Sequence, residues 1–274
     1  MQQPTVGTTF QVNTDTHVIP TYWPVPGLGT IAMNAFLIRS QEPVLVDTGV
    51  EILNHDFLDA LADLIDPAEL RWIWLTHEDR DHTGALSRLL EMAPRATVLG
   101  TFMTFGRAAP DGWLPPERTL IVNPGDTVDL GDRTLQAVRP PLYDSPGTLG
   151  FLDTKTGAYV SSDCFGAPLA DDAITSHSAD EVAPDLLRNA QVSWATVDSP
   201  WVVDADRDRL ANQVEHVRRL SPSTLLSSHL PPVIARIEHS LDSVVAAQRA
   251  EPLPGVTQEQ LEALLSQFAP AAPA

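Results

Sequence analysis

Acidic and imidazole side chains are concentrated in one short run in the first third of the chain. Two histidines and two aspartates, His77, Asp79, Asp81 and His82, lie within six residues. Carboxylate oxygens and imidazole nitrogens at this density are typical ligands of metal ions. The run follows the apolar residues 72–75, which predict a strand, and α/β folds place ligands at the carboxyl ends of their strands. The run therefore predicts a metal centre.

Three further candidate ligands lie near the ends of later predicted strands, and they are Asp144, Asp163 and His229. A metal ion needs ligands that converge from several directions, so we expect these distant segments to meet the run at 77–82. Asp144 has a second interpretation, because Asp-Ser-Pro-Gly is also a β-turn sequence. If Asp144 is only a turn residue, the centre holds one ion instead of two.

Hydrophobic periodicity predicts the elements that position these residues. The predicted strands begin at Ala35 and cover 35–38, 44–46, 71–76, 96–99, much of 120–138, 151–152, 158–161 and 225–226. Helical spacing predicts helices around 53–65, 86–90, 210–217 and 237–245, and Thr257 with Gln260 predicts a capping box before a last short helix. The polar, acidic residues 166–190 are predicted to form a loop or lid.

This order of strands, helices, strands and helices predicts an α/β (α+β) fold in which two sheets form the core and helices cover the outside faces. We expect one domain over residues 1–266 and a disordered tail over 267–274, which is built only from Ala and Pro after Phe268.

Composition excludes several classes of function. The net charge of −19 disfavours contact with nucleic acid and with anionic membranes. No run of 18 apolar residues predicts a membrane span, and residues 1–4 have no secretory signal, so a cytoplasmic location is expected. Cys164 is the single cysteine, which excludes an internal disulfide framework and a cysteine-built zinc site.

The candidate ligands, taken in order, resemble the metallo-β-lactamase superfamily over roughly residues 30–235. That superfamily has an αββα sandwich and usually carries His-x-His-x-Asp-His, then His, Asp and His. Here the ligand pattern is His77-x-Asp79-x-Asp81-His82, Asp144, Asp163 and His229, so aspartate replaces histidine twice. The segment 44–49, Val-Leu-Val-Asp-Thr-Gly, is also similar to the superfamily, which implies that Asp47 orients a ligand from behind.

Within the superfamily the chain most resembles the di-iron domain of flavodiiron proteins and oxygen-binding di-iron proteins. That branch has a carboxylate, Glu, at the second position of the run. Its Asp-His-Ser-Gly, Asp-Ala-Phe-Gly-Ala and Ser-His-Gly-Pro segments are similar to residues 81–84, 163–167 and 228–231. The resemblance implies two metal sites that share a bridging ligand. One site is made by His77, Asp79 and Asp144, the other by Asp81, His82 and His229, and Asp163 bridges them.

The charge of this ligand set bears on which metal it suits. Two divalent ions bring four positive charges, and Asp79, Asp81, Asp144 and Asp163 bring four negative ones, so the filled site is near neutral. A residual positive charge is what lowers the pKa of metal-bound water to about 7 for hydrolysis. Added carboxylates weaken that effect and favour harder ions and higher oxidation states. The set therefore favours Fe, with Mn or Zn as alternatives.

The expected function is a dinuclear non-heme iron protein that binds or activates O₂ or NO, as an oxidoreductase with an external electron source. Because the chain ends soon after His229, no flavodoxin-like FMN domain is expected to follow, and a partner flavoprotein, a neighbouring subunit or the substrate has to supply electrons. Without such a supply, reversible O₂ binding or sensing is expected. Relatives with the di-iron pattern imply a homodimer.

Two alternatives remain open. The first is a metal-dependent hydrolase of a small ester, lactone or thioester that uses a bridging hydroxide. The second is a non-catalytic protein that has the fold and has lost one metal.

Overall fold

Two β-sheets lie face to face in the computed structural model, which describes residues 3–112 and 114–266. The first sheet contains β1 (Thr5–Val6), β2 (Phe10–Gln11), β3 (Thr16–Val25), β4 (Gly29–Ile38), β5 (Val44–Val46), β6 (Trp72–Trp74), β7 (Thr97–Gly100) and β8 (Thr119–Ile121). Its strand order is β1-β3-β4-β5-β6-β7-β8, with β2 also paired to β3. The strands β5 to β8 run parallel to one another, and β3, β4 and β5 pair antiparallel.

The second sheet has the strand order β13-β12-β11-β10-β9. Its strands are β9 (Thr127–Asp129), β10 (Thr134–Val138), β11 (Gly150–Asp153), β12 (Ala158–Val160) and β13 (Thr224–Leu226). Only β12 and β13 pair in parallel, because a long helical crossover connects them. The carboxyl ends of β12 and β13 therefore lie side by side at one edge of this sheet.

Helices cover both outer faces. They are α1 (Asn54–Ala62), α2 (Arg80–Thr83), α3 (Leu86–Met92), α4 (Phe102–Ala108), α5 (Asp171–Ile174), α6 (Pro184–Asp198), α7 (Arg207–Leu220), α8 (Ile237–Ala247) and α9 (Gln258–Ser266). The apolar faces of α1 and α3 pack on the first sheet, and those of α6, α7 and α8 pack on the second. The predicted αββα sandwich is confirmed. Among the described residues, no helix has the length and apolar character needed to cross a bilayer.

The core between the sheets explains why the short central strands are continuous apolar runs. The strands β5, β6 and β7 have helices on one face and the second sheet on the other, so both sets of side chains are buried. Trp74 and Phe151 come from opposite sheets and meet edge to face, with ring centroids 4.7 Å apart. The Trp74 indole N–H donates to the carbonyl of Leu149 at 2.9 Å, which fixes the loop before β11.

A buried arginine joins the two sheets. Arg133, at the start of β10, donates to the carboxylate of Asp153 on β11 at 3.1 Å. It also donates to Asp15, which precedes β3 of the first sheet, at 2.7 Å. The side chains of Arg133 and Asp153 are fully buried, so each charge depends on its partner.

Several expectations need correction. The predicted loop or lid over 166–190 is wrong in its last part, because α6 begins at Pro184. Strands also begin well before Ala35, since β3 and β4 form a ten-residue antiparallel hairpin. The predicted capping box is confirmed: Gln260 accepts a hydrogen bond from the Thr257 N–H at 2.8 Å, and its own N–H donates to the Thr257 hydroxyl at 3.2 Å. The predicted tail at 267–274 lies outside the described residues.

Candidate metal centre

The seven predicted ligands meet at the carboxyl ends of strands from both sheets. The loop after β6 and the short helix α2 bring four of them from the first sheet, namely His77, Asp79, Asp81 and His82. The loops after β10, β12 and β13 bring the other three from the second sheet, namely Asp144, Asp163 and His229. The ligand atoms form groups in which every atom lies within 4.8 Å of the others.

One group is formed by His77, Asp79 and Asp144. The Nε2 atom of His77 lies 3.9 Å from Asp79 Oδ2 and 3.8 Å from Asp144 Oδ2. The other oxygen of Asp144 lies 3.5 Å from the Thr148 hydroxyl, at the outer limit of a hydrogen bond. Asp144 therefore faces His77 with one oxygen and keeps a weak turn contact with the other. The Asp79 side chain is 47% exposed, so this group lies at the mouth of the centre.

A second group is formed by Asp81, His82 and His229. Asp81 Oδ2 lies 3.4 Å from His82 Nε2 and 3.6 Å from His229 Nε2. Two atoms that each lie about 2.1 Å from one ion are about 3.0–3.4 Å apart at octahedral or tetrahedral angles. The separations in this group are at or just above that range.

Asp163 lies between the two groups. Its Oδ2 atom is 3.7 Å from His77 Nε2, whereas its Oδ1 atom is 3.2 Å from His82 Nε2 and 3.3 Å from His229 Nε2. Each oxygen therefore faces a different group, which is the arrangement that a bridging carboxylate requires. Burial acts to raise the pKa of Asp163, but the surrounding histidines, His229 first, hold that pKa well below its usual value.

Hydrogen bonds to the Nδ1 atoms orient the imidazole rings of all three histidines. The Nδ1 atom of His82 lies 2.8 Å from Asp47 Oδ2, and that of His77 lies 3.1 Å from the Ser162 hydroxyl. The Nδ1–H of His229 donates to the carbonyl of Ala32 at 2.7 Å. When Nδ1 carries the proton, the lone pair of Nε2 is free for a metal ion.

Two imidazole nitrogens without hydrogen-bond partners also indicate that the site suits metal ions. His77 Nε2 and His82 Nε2 are fully buried and have no hydrogen-bond partner. An unsatisfied buried polar atom is costly, and a cation held between these nitrogens and the facing carboxylates would remove that cost. The donor set of three imidazoles and four carboxylates therefore fits metal ions better than it fits a purely structural polar cluster.

Without a cation the imidazoles attract protons. Burial opposes protonation of His229, but the carboxylates of Asp163 and Asp81 outweigh it and raise the pKa of this imidazole to about 9. The pKa of His82 is likewise raised well above its usual value: burial opposes the shift, and Asp81, Asp163 and Asp47 together overcome it. Protons and metal ions therefore compete for the same nitrogens.

The backbone around the centre is locally unusual. Asp47 and Ser162, which hold the Nδ1 atoms of His82 and His77, have φ values of 58° and 53°. Few non-glycine residues adopt this left-handed conformation, and its cost is tolerated mainly where it positions functional groups. Asp47 also accepts hydrogen bonds from the N–H and the hydroxyl of Thr76, both at 2.8 Å, so it ties the end of β5 to the end of β6.

Sequence reasoning missed two residues that α6 brings to the centre. The indole N–H of Trp194 donates to the carbonyl of Asp163 at 3.1 Å, and its ring lies 4.9 Å from that of His229. Asp198 places its carboxylate within 4.8 Å of those of Asp144 and Asp163. The available signal was the spacing of Gln191, Trp194 and Asp198, which puts them on one helical face.

A third missed residue lies inside the ligand run itself. Glu78 is 7% exposed, accepts a hydrogen bond from the Ser145 hydroxyl at 2.7 Å and is paired with Arg107. Close approach is possible because Gly147 has no side chain: a Cβ atom there would lie 2.5 Å from Glu78 Oε2. Glu78 thereby fastens the loop that carries Asp144 to the loop that carries His77.

Comparison with known proteins agrees with this geometry. A model of the ODP family beta lactamase matches residues 31–192, which is more than half of the chain. The chain belongs to this family. The matched range of the ODP family beta lactamase includes six of the seven candidate ligands, and His229 lies beyond it.

Two curated relatives of this ODP family member are named as a flavoprotein and a flavorubredoxin. Diflavin flavoprotein A 1 of Synechocystis sp. is 31% identical over 153 residues, covering 56% of this chain and 26% of the relative. Anaerobic nitric oxide reductase flavorubredoxin of Salmonella arizonae is 27% identical over 169 residues, covering 61% of this chain and 35% of the relative. The chain thus spans about a quarter to a third of the length of these relatives.

Solved structures share the fold at low sequence identity. Rubredoxin oxygen:oxidoreductase of Desulfovibrio gigas has a TM-score of 0.77 at 16% identity, covering 89% of this chain and 62% of that one. A mutant flavo di-iron protein of Thermotoga maritima has a TM-score of 0.77 at 16% identity, covering 97% and 72%. At this identity the likeness establishes the architecture of the ODP family domain and not its chemistry.

Proposed function

We propose that this domain holds two iron ions and reacts with O₂ or NO, as an oxidoreductase that takes its electrons from an external donor. The observation that carries the proposal is the shared carboxylate of Asp163, whose two oxygens face two different groups of ligands. The names of the relatives and neighbours support the choice of chemistry, because they include an oxygen:oxidoreductase, a nitric oxide reductase and a flavo di-iron protein.

His77, Asp79 and Asp144 would hold one ion, and Asp81, His82 and His229 would hold the other. When bound, a pair of ferrous ions supplies the electrons and the open coordination positions that a diatomic molecule requires. The histidines are buried and keep water from the inner side of the centre, whereas the exposed side of Asp79 leaves an entrance for a small ligand. The residues Asp47, Ser162 and the Ala32 carbonyl keep the imidazoles in the tautomer that binds metal.

The number of carboxylates supports iron over zinc. Four aspartates neutralise two divalent ions, and this weakens the acidity of a bound water that hydrolysis would need. Carboxylate ligands also stabilise the ferric state that reaction with O₂ produces. Repeated turnover needs a supply of electrons, and we propose a flavoprotein as the donor.

Metal analysis and spectroscopy test the proposal. The protein is purified without added metal, analysed for iron, manganese and zinc, loaded with Fe²⁺ under nitrogen and then exposed to air. We expect two iron ions per chain, a visible spectrum that changes on exposure to air, and O₂ consumption when a flavoprotein reductase and NADH are added.

Other outcomes would overturn the proposal in distinct ways. Two zinc ions with hydrolysis of a simple ester, and no response to O₂, would establish the hydrolase alternative. Folded protein that binds one ion or none would establish a non-catalytic member of the family.

A further inference from the structure

The last turn of α6 brings an additional carboxylate to the centre. Asp198 is the final residue of the helix, and its carboxylate lies within 4.8 Å of those of Asp144 and Asp163. This position is fixed by the two preceding turns. Trp194 donates to the carbonyl of Asp163 at 3.1 Å, and Gln191 donates to the carbonyl of Phe165 at 3.2 Å. The same helical face therefore delivers all three side chains.

Close packing makes this approach possible. A Cβ atom at Gly166 would lie 2.6 Å from the indole nitrogen of Trp194 and 2.8 Å from the Cβ of His229. Gly166 therefore lets α6 approach the strand ends that carry Asp163 and His229. The juxtaposition of Asp198 with the centre is thus part of the packed structure.

The three carboxylates need a positive charge between them. Among the described residues, no Lys or Arg pairs with Asp198, and the adjacent Ser199 hydroxyl donates a hydrogen bond to its carboxylate at 3.0 Å. Like charges at this separation repel one another in a half-buried site unless a proton or a cation intervenes.

A second observation indicates a cation. His77 Nε2 is fully buried, has no hydrogen-bond partner, and lies 3.8 Å from Asp144 Oδ2 and 3.7 Å from Asp163 Oδ2. These are the same two carboxylates that face Asp198. Asp144 and Asp163 therefore face the unpartnered imidazole nitrogen of His77 and also lie within 4.8 Å of the Asp198 carboxylate.

We propose that Asp198 is an additional ligand of the ion held by His77, Asp79 and Asp144, an inference that rests on the proposed dinuclear function. Asp79 is half exposed and Asp144 keeps a turn contact, so a further carboxylate strengthens the weaker of the two sites. With Asp198 the centre has five carboxylates, and their charge is balanced by one divalent and one trivalent ion. The fifth carboxylate therefore favours oxidation of one iron.

An alternative role for Asp198 predicts a different result. If Asp198 were protonated and only donated a hydrogen bond to Asp163 or Asp144, an amide would replace it well, because an amide also donates. If Asp198 is a ligand, the amide removes the negative charge that binds the cation. The substitution Asp198→Asn separates these roles.

The test compares the wild-type chain, Asp198→Asn and the control Ser199→Ala, which removes the hydrogen bond to Asp198 and keeps its carboxylate. Each metal-free protein is titrated with Mn²⁺ in a calorimeter, and circular dichroism checks the fold. We expect Asp198→Asn to bind one of two ions at least about tenfold more weakly, with the other ion unchanged, and Ser199→Ala to differ by less than about threefold.

The outcomes separate this inference from the proposed function. If the wild type binds two Mn²⁺ ions and Asp198→Asn binds both with the same affinities, Asp198 is not a ligand, and the dinuclear proposal stands. If the wild type binds no pair of ions, the dinuclear proposal itself fails. Anomalous scattering from crystals of the Mn²⁺-loaded wild type tests the inference without a variant: a carboxylate oxygen of Asp198 at a bonding distance of about 2.2 Å from an ion supports it, and one beyond hydrogen-bond distance overturns it.

Discussion

Replacing Asp47 by asparagine should lower the affinity of the protein for one of the two metal ions and leave its affinity for the other unchanged. Asp47 accepts three hydrogen bonds of 2.8 Å, two from Thr76 and one from the Nδ1–H of His82. Asparagine has one acceptor oxygen in place of two, and its amide offers a donor where His82 needs an acceptor. The imidazole then gains by moving its proton to Nε2, which blocks the atom that faces the metal. Asparagine tolerates the left-handed backbone at this position, so the fold should survive.

The size of the effect follows from the lost hydrogen bond. Asp47 and His82 are 1% and 2% exposed, so water cannot replace the partner. A buried hydrogen bond to a charged group contributes about 1.5–3 kcal/mol, which corresponds to roughly a 10–100-fold change in affinity. In other proteins, substitution of residues that orient metal ligands lowers metal affinity by about the same factor. We expect the loss only for the ion held by Asp81, His82 and His229.

Calorimetric titration of the metal-free protein with Mn²⁺ measures this loss. The matched control is Asp66→Asn, the same change at an exposed residue that caps the 3₁₀ turn 67–69. Thr76→Val removes one donor to Asp47 but leaves the bond to His82, so its effect should be smaller. Wild-type affinity for both ions in Asp47→Asn would refute the reasoning that Asp47 sets the tautomer of His82.

Four further predictions, two substitutions, one pH dependence and one labelling experiment, test other parts of the structure. Gly84→Ala should lower the free energy of unfolding in urea by about 1–3 kcal/mol, because the new Cβ clashes with the backbone of residues 49–51. Arg133→Met should cost about 3–5 kcal/mol in the same assay, because it leaves Asp153 charged and buried. The pKa of His229 is raised to about 9, so its ion pairs stabilise the metal-free protein fully below about pH 6.5 and are lost as the pH rises through 9; unfolding free energy should fall over that interval while Mn²⁺ affinity rises. Burial raises the pKa of Cys164, so Ellman's reagent should label it only after denaturation.

Local patterns and a family resemblance predicted the seven candidate ligands, and the structure brings these residues together. The run at 77–82 combines a strand, a turn and clustered donors within a few residues, so spacing alone indicates its chemistry. Asp163 and His229 each follow a short apolar strand, and the parallel pairing of β12 with β13 brings them to the same edge. The order of two sheets covered by helices followed from the hydrophobic periodicity, which predicts strands, helices, strands and helices along the chain. Each sheet and each helix has to bury its apolar face, and this layered arrangement allows it.

Residues that depend on tertiary packing could not be predicted in this way. The apolar positions of α6 are interrupted by side chains that make hydrogen bonds: Gln191 donates to the Phe165 carbonyl, and Trp194 donates to the Asp163 carbonyl. Its sequence therefore resembles a polar loop. The strand β3 contains Pro20 and Pro24, which usually mark turns or sheet edges, and only its register with β4 shows it to be regular.

The distribution of ligands over the two sheets links the chemistry of the centre to the stability of the fold. Four candidate ligands come from the first sheet and three from the second, and Asp163 contacts both groups. In the metal-free state these carboxylates repel one another except where protonated histidines pair with them. Bound cations replace that repulsion with bonds that join the sheets, and any ligand that binds only the folded state stabilises it in proportion to its affinity and concentration. The protein should therefore be most stable when both ions are bound, and a substitution that weakens the binding of either ion should also lower the temperature of unfolding of the metal-loaded protein.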